Sequence, residues 1–198
     1  PIAEADMVCD PINIPEFWPR ICGLDFGWDH PTAASWAAWD RDSDIIYIYD
    51  TYAMSQEAVP IHASAIKGRG NWIPVIWPMD GRQADKGSGK SLTEQYRNEG
   101  VSMTREHFTK EGTGGISVEA GVQEMYTRFM TNRLKIFNNQ SKLLEELRMY
   151  HRKDGKIVFK HDDVISATRY AVMSVRKARV KNYEPTQLYS DSSFNVFA

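Results

Sequence analysis

The chain has 198 residues, 42% of them hydrophobic, and a formal net charge of −2 at pH 7. That size accommodates one large hydrophobic core and excludes two large domains. The near-neutral charge excludes a generally basic protein that coats nucleic acid, although it leaves room for a local basic surface. The two cysteines, Cys9 and Cys22, do not indicate a disulfide framework, so we expect a reducing, cytoplasmic setting.

The beginning of the chain gives a prediction about its origin. No apolar run approaches the roughly 18 residues that cross a bilayer, and no signal peptide is visible, so we expect no membrane partner. The first residue is Pro1 rather than Met, which indicates a piece of a longer polypeptide or a processed product. Residues 1–19 contain four prolines. Proline at this density prevents a continuous helix, so we predict an extended linker.

The first part of the core is predicted to be an antiparallel meander. Three runs rich in β-branched, aromatic or small apolar residues are separated by turn signals. They are Ile21–Asp25, Thr32–Trp39 and Ile45–Tyr52. Helical spacing follows in Ser55–Lys67, and Trp72–Pro78 is a short apolar strand. A helix between the meander and this strand indicates a crossover to a parallel partner, so we expect a mixed sheet.

The second half of the chain alternates helices with short strands. The predicted helices are Ser91–Asn98, Ile116–Asn132, Gln140–His151 and Asp162–Arg179. The predicted strands are Val101–Phe108, Leu134–Phe137 and Ile157–Phe159, and the turn Asp154-Gly155 is typical of a hairpin. Together these elements predict an α/β fold in which helices flank a mixed sheet. Residues 180–198 form a polar tail with scattered aromatic residues.

Acidic residues stand at three points where elements begin or end. Asp25 ends the first strand, Asp80 follows the crossover strand, and Asp162-Asp163 open the last helix. If the crossover strand lies beside the first strand, these carboxylates converge at one edge of the sheet. Clustered carboxylates repel one another unless cations lie between them, and oxygen ligands favour Mg²⁺ or Mn²⁺. Each acid alone also has a structural explanation, since Asp162 is a natural N-cap for its helix.

Three motifs contain these acids. They are Gly-Leu-Asp25-Phe-Gly followed by Asp29-His-Pro-Thr-Ala, then Trp-Pro-Met-Asp80, and finally His161-Asp162-Asp163-Val-Ile-Ser-Ala-Thr-Arg-Tyr-Ala. In content, order and spacing they resemble the nuclease domain of a tailed-bacteriophage terminase large subunit of the P22-like type. The resemblance covers residues 20–179. It implies a ribonuclease H-like fold and a metal-dependent endonuclease that cuts concatemeric double-stranded phage DNA during headful genome packaging.

The resemblance also implies roles for individual residues. The implied catalytic metal ligands, for two Mg²⁺ or Mn²⁺ ions, are Asp25, Asp80, Asp162 and Asp163, with Asp29 and His161 as outer-shell candidates. The family often shows another Asp three residues after the acidic pair, where this chain has Ser166. Which member of the pair is the main ligand therefore stays open. We favour Asp163, because Asp162 is the natural N-cap.

The domain organisation follows from the same resemblance. Residues 1–19 would be a linker from an upstream packaging ATPase domain, 20–179 the nuclease domain, and 180–198 a C-terminal tail directed to the portal. The implied partners are double-stranded DNA, that ATPase domain, the portal protein and the small terminase subunit. The implied location is the host cell cytoplasm during phage assembly.

Basic residues close to the acids in sequence are candidates for DNA contact. They are Arg82, Lys86, Lys90 and Lys160. From Lys142 to Lys181 the chain has 11 Lys and Arg residues against 5 Asp and Glu residues. Arg169 and Arg176 in this region are candidates for one side of a DNA track. A solvated helix face explains the same excess.

Other functions are compatible with parts of the sequence. Residues 84–91 match a relaxed phosphate-loop pattern, which would indicate a nucleotidase, with Ala84 replacing the first Gly. A phosphate loop follows its strand directly, whereas residues 79–83 intervene here, so this function is disfavoured. Two alternatives stay open: another ribonuclease H-like nuclease of the resolvase or transposase type, and a catalytically inactive DNA-binding assembly module.

Overall fold

A computed structural model describes residues 2–83, 89–109, 118–150 and 162–182, and the backbone of residues 152–153 and 156–157. The helices are α1 Glu4–Met7, α2 Val59–Lys67, α3 Leu92–Asn98, α4 Val118–Met130, α5 Ser141–Met149 and α6 Asp163–Met173, with short 3-10 turns at Met79–Arg82 and Val175–Lys177. The strands are β1 Val8–Cys9, β2 Arg20–Asp25, β3 Thr32–Asp40, β4 Ile45–Met54, β5 Val75–Ile76, β6 Leu134–Phe137, β7 Arg152–Lys153 and β8 Lys156–Ile157. Within these ranges, every helix is too short or too polar to cross a bilayer.

Six strands form one mixed sheet in the order β1-β6-β4-β3-β2-β5. β2, β3 and β4 are the predicted antiparallel meander, in which Gly23 pairs with Ser35. β5 runs parallel to β2, and β6 runs parallel to both β4 and β1. The crossover through α2 therefore places β5 beside the first strand of the meander. The prediction of a mixed sheet flanked by helices is confirmed.

The sheet is covered on both faces. Successive side chains of a strand point to opposite faces, and β2 follows this rule: Ile21 packs in the core beneath α4, α5 and α6, whereas Cys22 and Leu24 pack in the core beneath α2 and α3. Both cysteines are free. Because the period is two, Ile21, Gly23 and Asp25 share the face that α6 covers.

α6 lies directly on β2 and β3. A Cβ atom at Gly23 would come within 1.9 Å of the Ala167 carbonyl oxygen, so only glycine allows this approach. The Thr168 hydroxyl donates a hydrogen bond to Ser35 Oγ at 2.8 Å, in a fully buried position. These contacts fix the position of α6 and bring its first residues toward Asp25, at the end of β2.

The prediction that residues 1–19 form an extended linker is partly wrong. Residues 4–7 form α1, and Val8 pairs with Ile136 at the edge of the sheet. The Arg148 guanidinium donates two hydrogen bonds to the Glu4 carboxylate, at 2.8 and 2.6 Å. The four prolines are at positions 1, 11, 15 and 19, so residues 2–10 are free to form regular structure. The N-terminal segment therefore contributes to the fold.

The segment 101–108, predicted to be a strand, does not form one. Met103 makes a single bridge to Val75 of β5. The Thr104 carbonyl accepts hydrogen bonds from the side chains of Trp77 and Arg97, at 3.0 and 2.7 Å, rather than from a strand. Two backbone hydrogen bonds join the segment to β5: the Val75 amide donates to the Ser102 carbonyl, and the Thr104 amide donates to the Val75 carbonyl. The side chains of Val101 and Met103 pack in the same core as Val75.

Helix boundaries also differ from the prediction. α2 begins at Val59 rather than Ser55, because Pro60 occupies its first turn and Gln56 adopts φ of 58°. α6 ends at Met173 rather than Arg179, and Arg179 returns to pair with Arg20.

Other predicted elements are shorter in the structure. The apolar run 72–78 contains only the two-residue strand β5. α4 ends at Met130 rather than Asn132, and α5 begins at Ser141 rather than Gln140. The first two residues predicted for α4, 116–117, and the last predicted for α5, 151, lie outside the described residues. β7 and β8 pair as a hairpin, whereas its turn residues 154–155 and the predicted strand residues 158–159 lie outside the described residues.

Candidate functional site

Two of the candidate acids follow neighbouring parallel strands. Asp25 is the last residue of β2, and Asp80 lies in the 3-10 turn after β5, so the two lie at the same edge of the sheet. Gly81 packs against Phe26, since a Cβ there would come within 2.5 Å of Phe26 Cε2. The Thr93 hydroxyl donates to the Gly81 carbonyl at 2.8 Å. The turn is therefore held against the residue that follows Asp25.

Two hydrogen bonds between Gly27 and Thr32 close the loop that joins β2 to β3. The Gly27 amide donates to Thr32 Oγ1 at 3.2 Å, and the Thr32 hydroxyl donates to the Gly27 carbonyl at 2.9 Å. Asp29 lies exposed at the tip of this connection, beside Trp28, which is 61% exposed. The predicted outer-shell residue Asp29 is therefore at the rim of the site.

Asp25 interacts electrostatically with the other three acids. Burial, and then the negative charges of Asp80 and Asp163, raise the pKa of Asp25 to about 7. The Arg169 guanidinium opposes this rise, and Asp162 adds to it. Burial also raises the pKa of Asp80, although that residue as a whole is exposed. A nearby cation would favour the ionised form of these carboxyl groups.

The acidic pair stands at the start of α6. Asp163 is the first residue of the helix, and Asp162 is at the N-cap position but makes no capping hydrogen bond. The amides of Val164 and Ile165 donate instead to Oε2 of Glu146, at 2.9 and 3.0 Å. The reason for favouring Asp163 as the main ligand, namely that Asp162 caps the helix, is therefore wrong.

Asp162 is electrostatically part of the same cluster. Burial and the neighbouring charge of Asp163 raise its pKa, while Arg169 and His30 lower it. Of the residues in the Asp29-His30 turn, it is thus His30 that interacts with the acidic pair. Both members of the pair are partly buried beside the site.

Glu146 is a residue of the site that the sequence analysis missed. It lies on α5 and is 1% exposed, and burial raises its pKa to about 7. Its Oε1 atom has no hydrogen-bond partner in the described part of the chain. No local signal identifies Glu146, because its partner Val164 lies 18 residues away and only the packing of α5 against α6 brings them together.

Arg169 is buried, whereas it was predicted to lie on a DNA-binding surface. It is 4% exposed, so the prediction that it lines a DNA track is wrong. Its guanidinium carbon lies 4.7 Å from the Tyr170 ring centroid, and Nη1 lacks a hydrogen-bond partner among the described residues. Asp162 and Arg169 are seven residues, or about two helical turns, apart, so they share one face of the helix. This spacing is the sequence signal that could have placed Arg169 beside the acids.

Of the other basic candidates for DNA contact, some are exposed and others lie outside the described residues. Arg82 lies two residues after Asp80, is exposed, and forms an ion pair with Glu106 at 3.2 Å. Lys90 is exposed, just before α3. Lys86, Lys160 and His161, together with most of the phosphate-loop pattern, lie outside the described residues.

The acidic residues do not form a closed metal cage. In the ranges that the structure describes, no three His, Cys, Asp or Glu side chains are arranged so that they could hold a metal ion. The acids nevertheless supply only carboxylate oxygens, and several raise one another's pKa. Mg²⁺ prefers oxygen ligands, keeps several waters and often uses one or two carboxylates. The residues therefore fit an open site completed by water.

A cavity of about 580 Å³ adjoins Asp80. Aromatic side chains contribute to its lining, among them Phe26, Trp28 and Tyr96. His62 also lines it, and its Nδ1 lies 2.8 Å from the Tyr52 hydroxyl. Asp80, the one of the four acids in its lining, thus lies beside a cleft with room for part of a substrate.

Comparison with known proteins gives consistent matches. The model of the terminase RNaseH-like domain family matches residues 22–175. The large terminase subunit of Salmonella phage P22 is 41% identical over 180 residues, which are 90% of this chain and 36% of that protein. The chain therefore spans about a third of the length of this relative.

Solved structures agree with that match. The nuclease domain of the P22 large terminase has a TM-score of 0.83 at 40% identity, and the match covers 90% of this chain and 92% of that domain. The nuclease domain of the large terminase from phage SPP1, determined with bound Mn, has a TM-score of 0.57 at 17% identity, over 80% of this chain and 88% of that one. At that identity the second match shows the fold alone, which is the predicted ribonuclease H-like fold.

Proposed function

This chain belongs to the terminase ribonuclease H-like domain family, and on that basis we propose that it is a metal-dependent endonuclease that cuts double-stranded phage DNA. The observation that carries the proposal is the environment of Asp25. The charges of three further acids, Asp80, Asp163 and Asp162, act on its carboxyl group, which lies at the end of β2 beside the parallel strand β5. Such a concentration of negative charge destabilises the protein unless it binds cations.

Each acid has a role in this proposal. Asp25, at the end of β2, and Asp80, in the turn after β5, would hold the metal together with Asp162 and Asp163 at the start of α6. When bound, two Mg²⁺ or Mn²⁺ ions would activate the attacking water and stabilise the leaving oxygen of a phosphodiester. The Mn bound to the SPP1 nuclease domain, a protein of the same fold, supports this choice of cofactor.

Arg169 is buried and brings a positive charge close to the acids. Its buried guanidinium lowers the pKa of both Asp25 and Asp162. It therefore keeps more of the carboxylate ionised before a metal ion arrives, and an ionised carboxylate is the form that binds metal. Because Arg169 is buried, DNA phosphates would instead meet exposed residues such as Arg82.

The cleft beside Asp80 supports the choice of a polymeric substrate. It is open and partly aromatic, so a DNA strand could pass along it toward the acids. We propose concatemeric DNA and headful cutting, since the chain resembles the large subunit that performs packaging.

The remaining partners are proposed from the family. The chain matches 36% of the P22 large subunit, and the unmatched part is long enough for another domain. We place the packaging ATPase there, and the portal protein and small terminase subunit as partners of the whole protein. The setting would be the host cytoplasm during phage assembly.

Cleavage of supercoiled plasmid tests the proposal. With Mn²⁺ or Mg²⁺ the chain is expected to nick and linearise DNA with little sequence preference, and EDTA is expected to stop the reaction. Asp25→Asn and Asp80→Asn should abolish cleavage without unfolding the protein. Asp42→Asn, in the exposed turn between β3 and β4, is the matched control and should cut normally.

Two results would contradict the proposal. Cleavage by both active-site variants at the parental rate would show that the site is elsewhere. DNA binding by the wild-type chain without cleavage at any metal concentration would favour the inactive assembly module. That alternative has one observation in its favour, since no metal-holding group is formed in the described residues.

A further inference from the structure

The start of α6 is capped by a residue of another helix. A helix leaves its first amide groups without intrahelical partners, and the N-cap side chain usually accepts from the second or third of them. In α6 these amides belong to Val164 and Ile165, and both donate to Oε2 of Glu146 on α5. Asp162 occupies the N-cap position and makes no such bond.

Two carboxylates are therefore available for the same pair of amides. Aspartate is among the preferred N-cap residues, so Asp162 would bond Val164 or Ile165 if Glu146 did not. An Asp162 carboxylate engaged in this way would be directed to its own helix backbone. With the amides already occupied, the carboxylate is left among Asp25, Asp163 and Arg169.

Stability alone does not account for Glu146. Its side chain is 1% exposed, on the same helix as the buried Leu143 and Leu144, and one of its oxygens has no partner in the described residues. A buried carboxylate with an unpaired oxygen is less favourable than an apolar side chain of the same size. The neighbouring Glu145 is exposed.

We infer that Glu146 is a positioning residue: it caps α6 in place of Asp162 and so leaves the Asp162 carboxylate available to the metal site. The inference deepens the proposed function and rests on it for the metal. The capping exchange itself is independent of any metal. It predicts that removal of Glu146 makes Asp162 turn to its own helix, which converts Asp162 from a member of the site into a cap.

A double-mutant cycle in metal-free protein tests the exchange. Asp162→Ala should not lower the melting temperature of the wild-type chain, because Asp162 does not cap α6. In a Glu146→Met or Glu146→Ala background, Asp162→Ala should lower it by about 2–4 °C, the effect of losing one N-cap in a protein of this size. Because Glu146→Met nearly keeps the side-chain volume, this variant is expected to fold. In a Glu145→Ala background Asp162→Ala should again not lower the melting temperature.

Calorimetric titration with Mn²⁺ tests the consequence for the site. Glu146→Met should weaken Mn²⁺ binding by roughly tenfold, as residues behind a metal ligand typically do, and Glu145→Ala should not. Asp162→Ala should weaken binding in the wild-type chain but have no further effect in Glu146→Met.

Each negative result has a separate meaning. An equal drop in melting temperature on Asp162→Ala in both backgrounds, or an unchanged Mn²⁺ affinity in Glu146→Met, would overturn the inference. A wild-type chain that binds no Mn²⁺ would overturn the proposed function, and the metal-free cycle would still decide whether Glu146 replaces Asp162 as the cap.

Discussion

Replacement of Asp25 by Asn should stabilise the metal-free protein, and it should do so only at high pH. In the folded protein the pKa of Asp25 is about 7, whereas its ordinary value is 3.8. Between these values the folded state keeps a proton that the unfolded chain has lost. The unfolding free energy of the wild-type protein therefore falls as pH rises through this window, and above pH 7 the loss is complete.

The magnitude follows from the difference between the two pKa values. Each tenfold change in proton affinity corresponds to about 1.4 kcal/mol, which gives an upper limit on the order of 4 kcal/mol. Asp25 is partly exposed at the open edge of the sheet, so solvent screening reduces this, and we expect about 1–3 kcal/mol. Asparagine does not titrate, so Asp25→Asn avoids this loss.

Urea unfolding in the presence of a chelator measures the effect. At pH 8 Asp25→Asn should be more stable than the wild-type protein, and at pH 4.5, where only about a quarter of the loss has developed, the difference should be much smaller. Asp42→Asn should match the wild type at both pH values. Addition of Mn²⁺ at pH 8 should stabilise the wild type and not Asp25→Asn. A variant that is less stable at pH 8, or equally stabilised at both pH values, would refute the raised pKa that burial and the neighbouring acids give Asp25.

Three further predictions concern the fold and the tail. Gly23→Ala should destabilise the protein severely in thermal melting, because its Cβ would lie 1.9 Å from the Ala167 carbonyl oxygen, whereas Gly68→Ala should be nearly neutral; similar melting temperatures would contradict the close approach. Ser91→Ala removes the capping box of α3 and should lower the melting temperature by about 2–4 °C, and no change would contradict the cap. Deletion of residues 181–198 should leave nuclease activity largely intact and weaken docking of the full-length protein to the portal; unchanged docking in a pull-down would contradict this role.

The meander and the acids at strand ends could be predicted because their signals are local. Alternation and turn residues define β2, β3 and β4, and a period of two assigns Ile21 and Cys22 to opposite faces. The crossover through α2 indicated a parallel partner, and Asp25 and Asp80 were expected at one edge if that partner lay beside the first strand. The structure meets this condition, because β5 pairs with β2.

The features that were missed depend on packing between distant segments. The hydrogen bonds of Glu146 join α5 to α6, and nothing close to Glu146 in sequence indicates its partner. The sequence indicated that Arg169 is a surface cation, but in the structure α4 covers it. Gly121 of α4 packs directly on its side chain. The segment 101–108 has the alternation of a strand, but β5 is only two residues long, so the pairing is limited to the single bridge between Met103 and Val75.

Anomalous diffraction from a crystal of the chain soaked in Mn²⁺ tests the central claim most directly. We predict strong Mn peaks bounded by the carboxylates of Asp25, Asp80 and the Asp162-Asp163 pair, and no such peaks in an Asp80→Asn crystal treated in the same way. Peaks only at other surface carboxylates, or equal peaks in the variant, would contradict the assignment of these acids to a metal centre.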